Sequence, residues 1–355
     1  MPAELARRRV LALLAASAAT PVRGQGFAGL GQEAGGFAMP RPDPAFRFPR
    51  DHGPHPQFRI EWWYVTANLK TAAGADRGIQ WTLFRSALAP QERPGWASPQ
   101  IWFAHAAMTG PEAHLVAERR ARGGIGQAGV TPAPFAAWID DWQMTGHPGA
   151  DALDRLSLRA AGRDWSYELS LAAAGPLVLH GQGGYSLKHP RGQASYYYSQ
   201  PGYRVTGRLG WPGGAEEVTG LAWLDREWSS QPLDADQTGW DWFSLHLDGG
   251  DRLMVYRLRD GGAGHVPGTW ISPDGRAEAI ADGAIELAPL DWTRIGERRL
   301  PTSWRIRIPS RGLQIETRPV NAHAWMGTGI PYWEGPVRVT GSRSGIGYLE
   351  MTGHD

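Results

Sequence analysis

Beyond residue 45 the chain is a series of short apolar runs, rich in aromatic and β-branched residues and separated by Gly- and Pro-bearing breaks. Such runs predict strands. Trp62-Trp63-Tyr64-Val65-Thr66-Ala67-Asn68-Leu69 and Ile79-Gln80-Trp81-Thr82-Leu83-Phe84 are joined by a loop carrying Gly74 and Gly78, the pattern of a hairpin. Further strands are predicted over 101–108, 165–171, 203–209 and 218–224. No long apolar stripe of helical period occurs outside the N-terminal segment, so helix is confined to short turns, one of them expected near residues 85–88.

The second half of the pattern repeats the first. Glu61-Trp62-Trp63-Tyr64 aligns without gaps to Gly239-Trp240-Asp241-Trp242, and Leu83-Phe84-Arg85 to Val255-Tyr256-Arg257 after a loop six residues shorter. Ala222-Trp223-Leu224-Asp225 matches Gly347-Tyr348-Leu349-Glu350 in the same way. This is the mark of a duplicated β unit. The break falls near 225–235, at Ser229-Ser230-Gln231-Pro232, giving domains over 46–230 and 231–355. Antiparallel barrels of about eight strands remove their own edges and can hold one small apolar ligand. Two side by side add a crevice between them, another favoured ligand position.

The first residues read differently. Arg7, Arg8 and Arg9 precede an apolar stretch over 10–19, too short for a bilayer span of about 20 residues but suited to a signal peptide. The Arg run also resembles a twin-arginine signal. Residues 1–25 are therefore expected to be an export signal and 26–45 a flexible lead-in. The expected location is periplasmic or secreted, with no membrane-spanning segment left after signal removal.

Composition narrows the chemistry. The chain has 355 residues and a formal charge of +1, and gives no reason to expect a nucleic-acid partner. It has no cysteine, which excludes disulfides, thiol catalysis and a lipidated N-terminal Cys. Lysine occurs only at 70 and 188. Eighteen tryptophans stand among 47 glycines and 28 prolines, a mixture that fits strands around aromatic-lined cores or cavities.

Several motifs in one order carry a resemblance. They are Asp51-His52-Gly53-Pro54-His55-Pro56 followed by Glu61-Trp62-Trp63-Tyr64; Ser195-Tyr196-Tyr197-Tyr198-Ser199-Gln200-Pro201; Ala222-Trp223-Leu224-Asp225-Arg226-Glu227-Trp228-Ser229-Ser230-Gln231; Gly239-Trp240-Asp241-Trp242; and Gly347-Tyr348-Leu349-Glu350-Met351-Thr352-Gly353. Over about 45–355 the chain resembles the AttH-like secreted proteins, a family that includes carotenoid 1,2-hydratases. The resemblance implies an all-β fold of two tandem lipocalin-like antiparallel β-barrels packed side by side, an exported location and an apolar, isoprenoid- or polyene-like ligand. The hydratases carry a His-Asp-His-Asn-Trp-like stretch. Here it reads Leu224-Asp225-Arg226-Glu227-Trp228, which keeps the Asp and the Trp and differs at the other three positions.

Hydrating an alkene needs an acid strong enough to protonate carbon and walls that stabilise a cation. A carboxyl buried among aromatic rings stays protonated, and indole and phenol faces stabilise positive charge. Glu61, Asp225 and Asp241 all lie beside tryptophans. Asp225 is the expected general acid, because it also carries the motif match, with Glu227 and Asp241 as further catalytic candidates. A structural alternative for Asp225 is an ion pair with Arg226 or Arg257. Trp62, Tyr64, Trp81, Tyr196, Tyr197, Tyr198, Trp223, Trp228, Trp240 and Trp242 are the expected ligand-lining residues. Alternation places Tyr197 opposite Tyr196 and Tyr198. Asp51, His52 and His55 are expected to plug one barrel end, and neither a metal nor a cofactor is predicted. The expected function is hydration of a C=C bond. The alternatives are an apolar-ligand carrier working with a membrane transport system and, third, a secreted hydrolase, although no Gly-x-Ser-x-Gly elbow occurs.

Overall fold

The computed structural model describes residues 35–354, except 150, 232, 234 and 235, so the expected export signal lies outside the described residues. Thirteen strands form the first antiparallel sheet: β1 Ile60–Thr71, β2 Asp76–Ala87, β3 Gln100–Thr109, β4 His114–Arg122, β5 Ala128–Pro132, β6 Phe135–Ile139, β7 Trp142–Gly146, β8 Arg155–Ala161, β9 Ser166–Ala173, β10 Val178–Leu179, β11 Tyr185–Leu187, β12 Ala194–Trp211 and β13 Gly214–Ser229. Ten form the second: β14 Gly239–Leu247, β15 Arg252–Arg259, β16 Gly268–Ile271, β17 Ala277–Ile280, β18 Glu286–Ile295, β19 Arg298–Ile308, β20 Leu313–Pro319, β21 Trp325–Met326, β22 Tyr332–Gly341 and β23 Gly345–Met351. Each sheet curls into a barrel-like half, as the lipocalin-like expectation requires.

The two halves close in the same way. In each half the first strand pairs with the last, β1 with β13 and β14 with β23. Tyr64 stands opposite Asp225 in one pair and Trp242 opposite Glu350 in the other, as the sequence alignment of the closing strands requires. The second strand departs from that alignment. Tyr64 faces Thr82, whereas Trp242 faces Tyr256, a register two residues away from the match of Leu83 with Val255. A slip of two keeps every side chain on its own face, so the similarity of pattern survives it. The helical turn expected near 85–88 is not formed: residues 85–87 end β2 and pair with β3, because Ile101 and Trp102 continue the ladder opposite them.

Burial shows which strands meet. β8 and β9 alternate exposed and buried positions, with one face on the barrel core and one in water. β1, the second half of β13, and β14 are buried on nearly every residue. Their inward side chains, such as Trp63, Leu224 and Phe243, fill the two barrel cores. Their outward side chains Tyr64, Trp223 and Trp242 join Tyr197 of β12, Tyr256 of β15 and Tyr348 of β23 in a third apolar cluster between the barrels. Polar contacts cross the same seam, among them Asn68 Nδ2 to Gly347 O at 2.8 Å and an Arg338–Asp76 ion pair.

Candidate functional site

Side-chain alternation builds a cavity into this seam. On β1 Trp63 points into the barrel, so Trp62 and Tyr64 point out of it; on β14 Phe243 points in, so Trp242 points out. These rings, with Tyr197, Tyr256 and Trp240, wall a cavity of about 110 Å³ that also exposes Asp225, Glu227, Lys188, Ser195 and Glu350. That is somewhat less than the roughly 150 Å³ of an apolar cavity that admits benzene, so it suits a short branched chain end.

Asp225 is buried and its hydrogen-bond partners are all neutral. Tyr197 Oη donates to Oδ2 at 2.7 Å, Trp223 Nε1 to Oδ1 at 2.6 Å, and Ser199 Oγ also donates to Oδ1. Burial pushes its acid form up, the three donors pull it down, and the balance lies at about 7. This corresponds to about 4 kcal/mol against the charged form relative to water. The predicted ion pair with Arg226 or Arg257 is not formed: Arg226 lies on the opposite face of β13 and reaches Glu61, and Arg257 reaches Asp241. Behind Ser199, His180 Nε2 lies 2.6 Å from its Oγ, and His180 Nδ1 lies 2.9 Å from Thr269 Oγ1 of the second barrel. Ser199 has one hydroxyl proton and gives it to Asp225, so Nε2 is the donor and Nδ1 accepts from Thr269. Burial, with Lys188 nearby, holds His180 down at about 3, so it is neutral. Ser, His and Asp are thus together but not as a nucleophilic triad, which needs the His between the other two.

A second polar group shares the cavity. Lys188 Nζ lies 2.7 Å from Glu227 Oε1 and over the rings of Tyr197 and Tyr256, at 4.8 and 4.3 Å. Ser195 Oγ donates to the same carboxylate oxygen at 2.5 Å. Burial opposes the Lys188 ammonium, but Glu227 and Tyr256 outweigh it and raise its proton affinity.

The third group comes from the second barrel. Trp240 Nε1 donates to Glu350 Oε1 at 2.6 Å. Burial lifts Glu350 to about 7, Trp240 opposes this, and Asp225 adds to it. Next to it on β22, Glu334 accepts from Tyr64 Oη at 2.5 Å and is held well above the ordinary range by burial and by Glu350.

The structure brings together Asp225, Glu227, Trp62, Tyr64, Tyr197, Trp240 and Trp242 from the sequence expectations. It places the others elsewhere. Asp241 lies outside the cavity lining, ion-paired with Arg257 at 2.8 Å and Arg259 at 2.6 Å and hydrogen-bonded to His354 Nε2 at 2.8 Å. Burial resists its charge, but the His354 hydrogen bond, Arg259 and Arg257 outweigh it and keep its proton affinity below the ordinary carboxylate range. Glu61 is similar: burial resists, but Arg85, His55 and Arg226 hold it well below the carboxylate range. Trp81, Tyr198 and Trp228 belong to the first barrel core, Tyr196 packs against it, and Trp223 acts from behind Asp225. Tyr197 does face away from Tyr196 and Tyr198, into the interbarrel cluster. Asp51 and His52 form a buried 3-10 turn, with His52 Nδ1 2.7 Å from Tyr198 Oη and His55 stacked 3.9 Å over Trp228. No group of metal-ligating side chains occurs among the described residues. Lys188 and Glu350 escaped the sequence reading. The signals were one of two lysines kept in an arginine-rich chain, and the alignment of Glu350 with Asp225.

The AttH-like family pattern matches residues 39–354. A candidate AttH protein from Nitrosomonas europaea, solved as a crystal structure, is 32% identical with a TM-score of 0.79 and covers 90% of this chain and 100% of its own. Kievitone hydratase from Nectria haematococca is 13% identical with a TM-score of 0.65, over 91% of this chain and 96% of its own. CghA in complex with Sch210972 is 12% identical with a TM-score of 0.53, over 91% and 97%. No curated protein sequence matches the chain.

Proposed function

The chain belongs to the AttH-like family, and from that premise we propose that it is an exported lyase adding water across a C=C bond of an apolar, isoprenoid-like ligand, with Asp225 as general acid. The observation that carries this reading is Asp225 itself: a buried carboxyl in an aromatic cavity whose partners are neutral donors, with an acid form that persists to about 7. A paired carboxylate could not protonate carbon; a carboxyl held neutral by its surroundings can. Its proton goes to the less substituted alkene carbon. The cation left on the neighbouring carbon faces Trp62, Tyr64, Tyr197, Trp240 and Trp242, whose rings stabilise positive charge. Water then adds to that carbon. The shared fold with a protein named as a hydratase supports the reaction class. Export rests on the Arg7–Arg9 and 10–19 pattern.

The test begins with mass spectrometry of whatever co-purifies with the mature protein from its native source. Hydration is then assayed on that compound and on 6-methyl-5-hepten-2-one, a small trisubstituted alkene with a short branched chain end. Conversion to the tertiary alcohol by the wild type, lost in Asp225→Asn while ligand is still retained, is the expected result. Retention without conversion in both proteins would identify a carrier instead.

A further inference from the structure

The two barrels close with equivalent strand pairs, and each closing pair places a carboxyl on the same cavity. Asp225 stands opposite Tyr64 in the closing pair of the first barrel, and Glu350 opposite Trp242 in that of the second. Both line the cavity, both are buried, and each accepts an indole N–H at 2.6 Å, from Trp223 and Trp240 respectively. Among the described residues neither has an ion-pairing Lys, Arg or His. Asp225 is surrounded by Ser199 (backed by neutral His180), Tyr197, Trp223 and Glu227, and Glu350 by Trp240, Tyr64 and Glu227 with Glu334 beside it on β22; the two carboxyls face each other's charge across the shared cavity. The cation close by, Lys188, is engaged by Glu227. Two like charges sharing one low-dielectric space repel, so the second ionisation is harder than the first.

We propose that Asp225 and Glu350 form an acid–base couple holding one proton at neutral pH, in which the first barrel supplies the acid and Glu350 the base that activates water. The proposal rests on the hydration reading above. The Asp225 carboxyl gives its proton to an alkene carbon, and the π pair forms the new C–H bond. A water oxygen bonds to the adjacent cationic carbon, and its proton passes to the Glu350 carboxylate. Alkene and water become alcohol. The couple ends inverted, with Glu350 protonated, and a proton exchange through solvent resets it.

The couple is tested without substrate by infrared titration of the carboxylic-acid C=O band of the full-length mature protein. Glu350→Gln removes the neighbouring charge, so the Asp225 midpoint should fall by about one pH unit, the size at which two sites titrate together. Asp225→Asn should lower Glu350 likewise. Midpoints that stay at the wild-type value in both variants overturn the couple and leave Asp225 as a lone acid. The base role is read with 6-methyl-5-hepten-2-one in D₂O. Glu350→Gln should still exchange deuterium into recovered alkene but form alcohol at least tenfold more slowly, whereas Asp225→Asn should lose both. Alcohol formation at the wild-type rate in Glu350→Gln overturns the base role; loss of exchange only in Asp225→Asn leaves the acid assignment standing.

Discussion

Trp242 of the second barrel donates its indole N–H to the hydroxyl of Tyr197 of the first at 3.1 Å, and that hydroxyl donates to Asp225 at 2.7 Å. The acidity of a first-barrel carboxyl is therefore set partly across the domain seam. Donors to a carboxylate favour its charged form, so Tyr197→Phe should raise the Asp225 midpoint above about 7. It also leaves the Trp242 N–H without its acceptor, at a cost of about 1–3 kcal/mol. Infrared titration and urea unfolding read the two effects separately. An unmoved midpoint would show that the hydroxyl does not tune the acid.

Asp225→Asn keeps the size of the side chain and removes the transferable proton. General acids contribute about 10²–10⁴-fold, so hydration should fall by at least about 10²-fold. Ligand retention, followed by quenching of the cavity tryptophans, should persist. Full turnover in this variant would remove Asp225 from the chemistry.

Stability should respond to pH with opposite signs at two carboxyls. The acidity of Glu61 is strengthened on folding, so its contribution is complete above the ordinary glutamate value of 4.5 and lost as pH falls below it. Asp225 is weakened as an acid, so stability is lost as pH rises from 3.8 through about 7. Glu61→Gln leaves Arg85 and Arg226 buried without their counter-charge and should cost about 3–5 kcal/mol at neutral pH. Urea unfolding across the pH range should show that deficit shrinking in acid. Asp225→Asn should instead flatten the decline toward neutrality. A Glu61→Gln deficit independent of pH would contradict the assignment.

The seam also has a steric lock. A Cβ on Gly78 of β2 would lie 2.6 Å from Pro336 Cγ and 2.7 Å from Tyr348 Oη, both in the second barrel. Gly78→Ala should cost about 1–3 kcal/mol and weaken ligand retention by spreading the cavity walls. Gly214→Ala, where nothing lies within 4 Å, should change stability by less than about 0.5 kcal/mol. Equal unfolding midpoints for the two variants would show that the barrels do not press together at Gly78.

Much of this was legible in the chain. Alternating aromatic runs specify strands because their period matches the pleat. Repetition of Trp62-Trp63-Tyr64 as Trp240-Asp241-Trp242 announces two barrels, and the Asp225–Glu350 alignment survives as equivalent register positions. Which tryptophans face the cavity was less legible. Trp81 and Trp228 read much like Trp62 and Trp240, yet the former two fill a barrel core. In a strand buried on both faces, composition no longer tells inside from outside.

By itself, then, the sequence determined the strand content, the duplication and the stock of carboxyls set beside tryptophans. Only the tertiary structure decided which carboxyl is buried without a cation beside it. Glu61 meets Arg85 from the next strand, Asp241 meets Arg257, Arg259 and His354, and Asp225 meets Ser199, Tyr197 and Trp223. A carboxyl's proton affinity depends on the charges and dipoles within a few ångströms and on the water excluded around it. Those neighbours are set by strand pairing and barrel packing, across separations of up to 113 residues for Asp241 and His354.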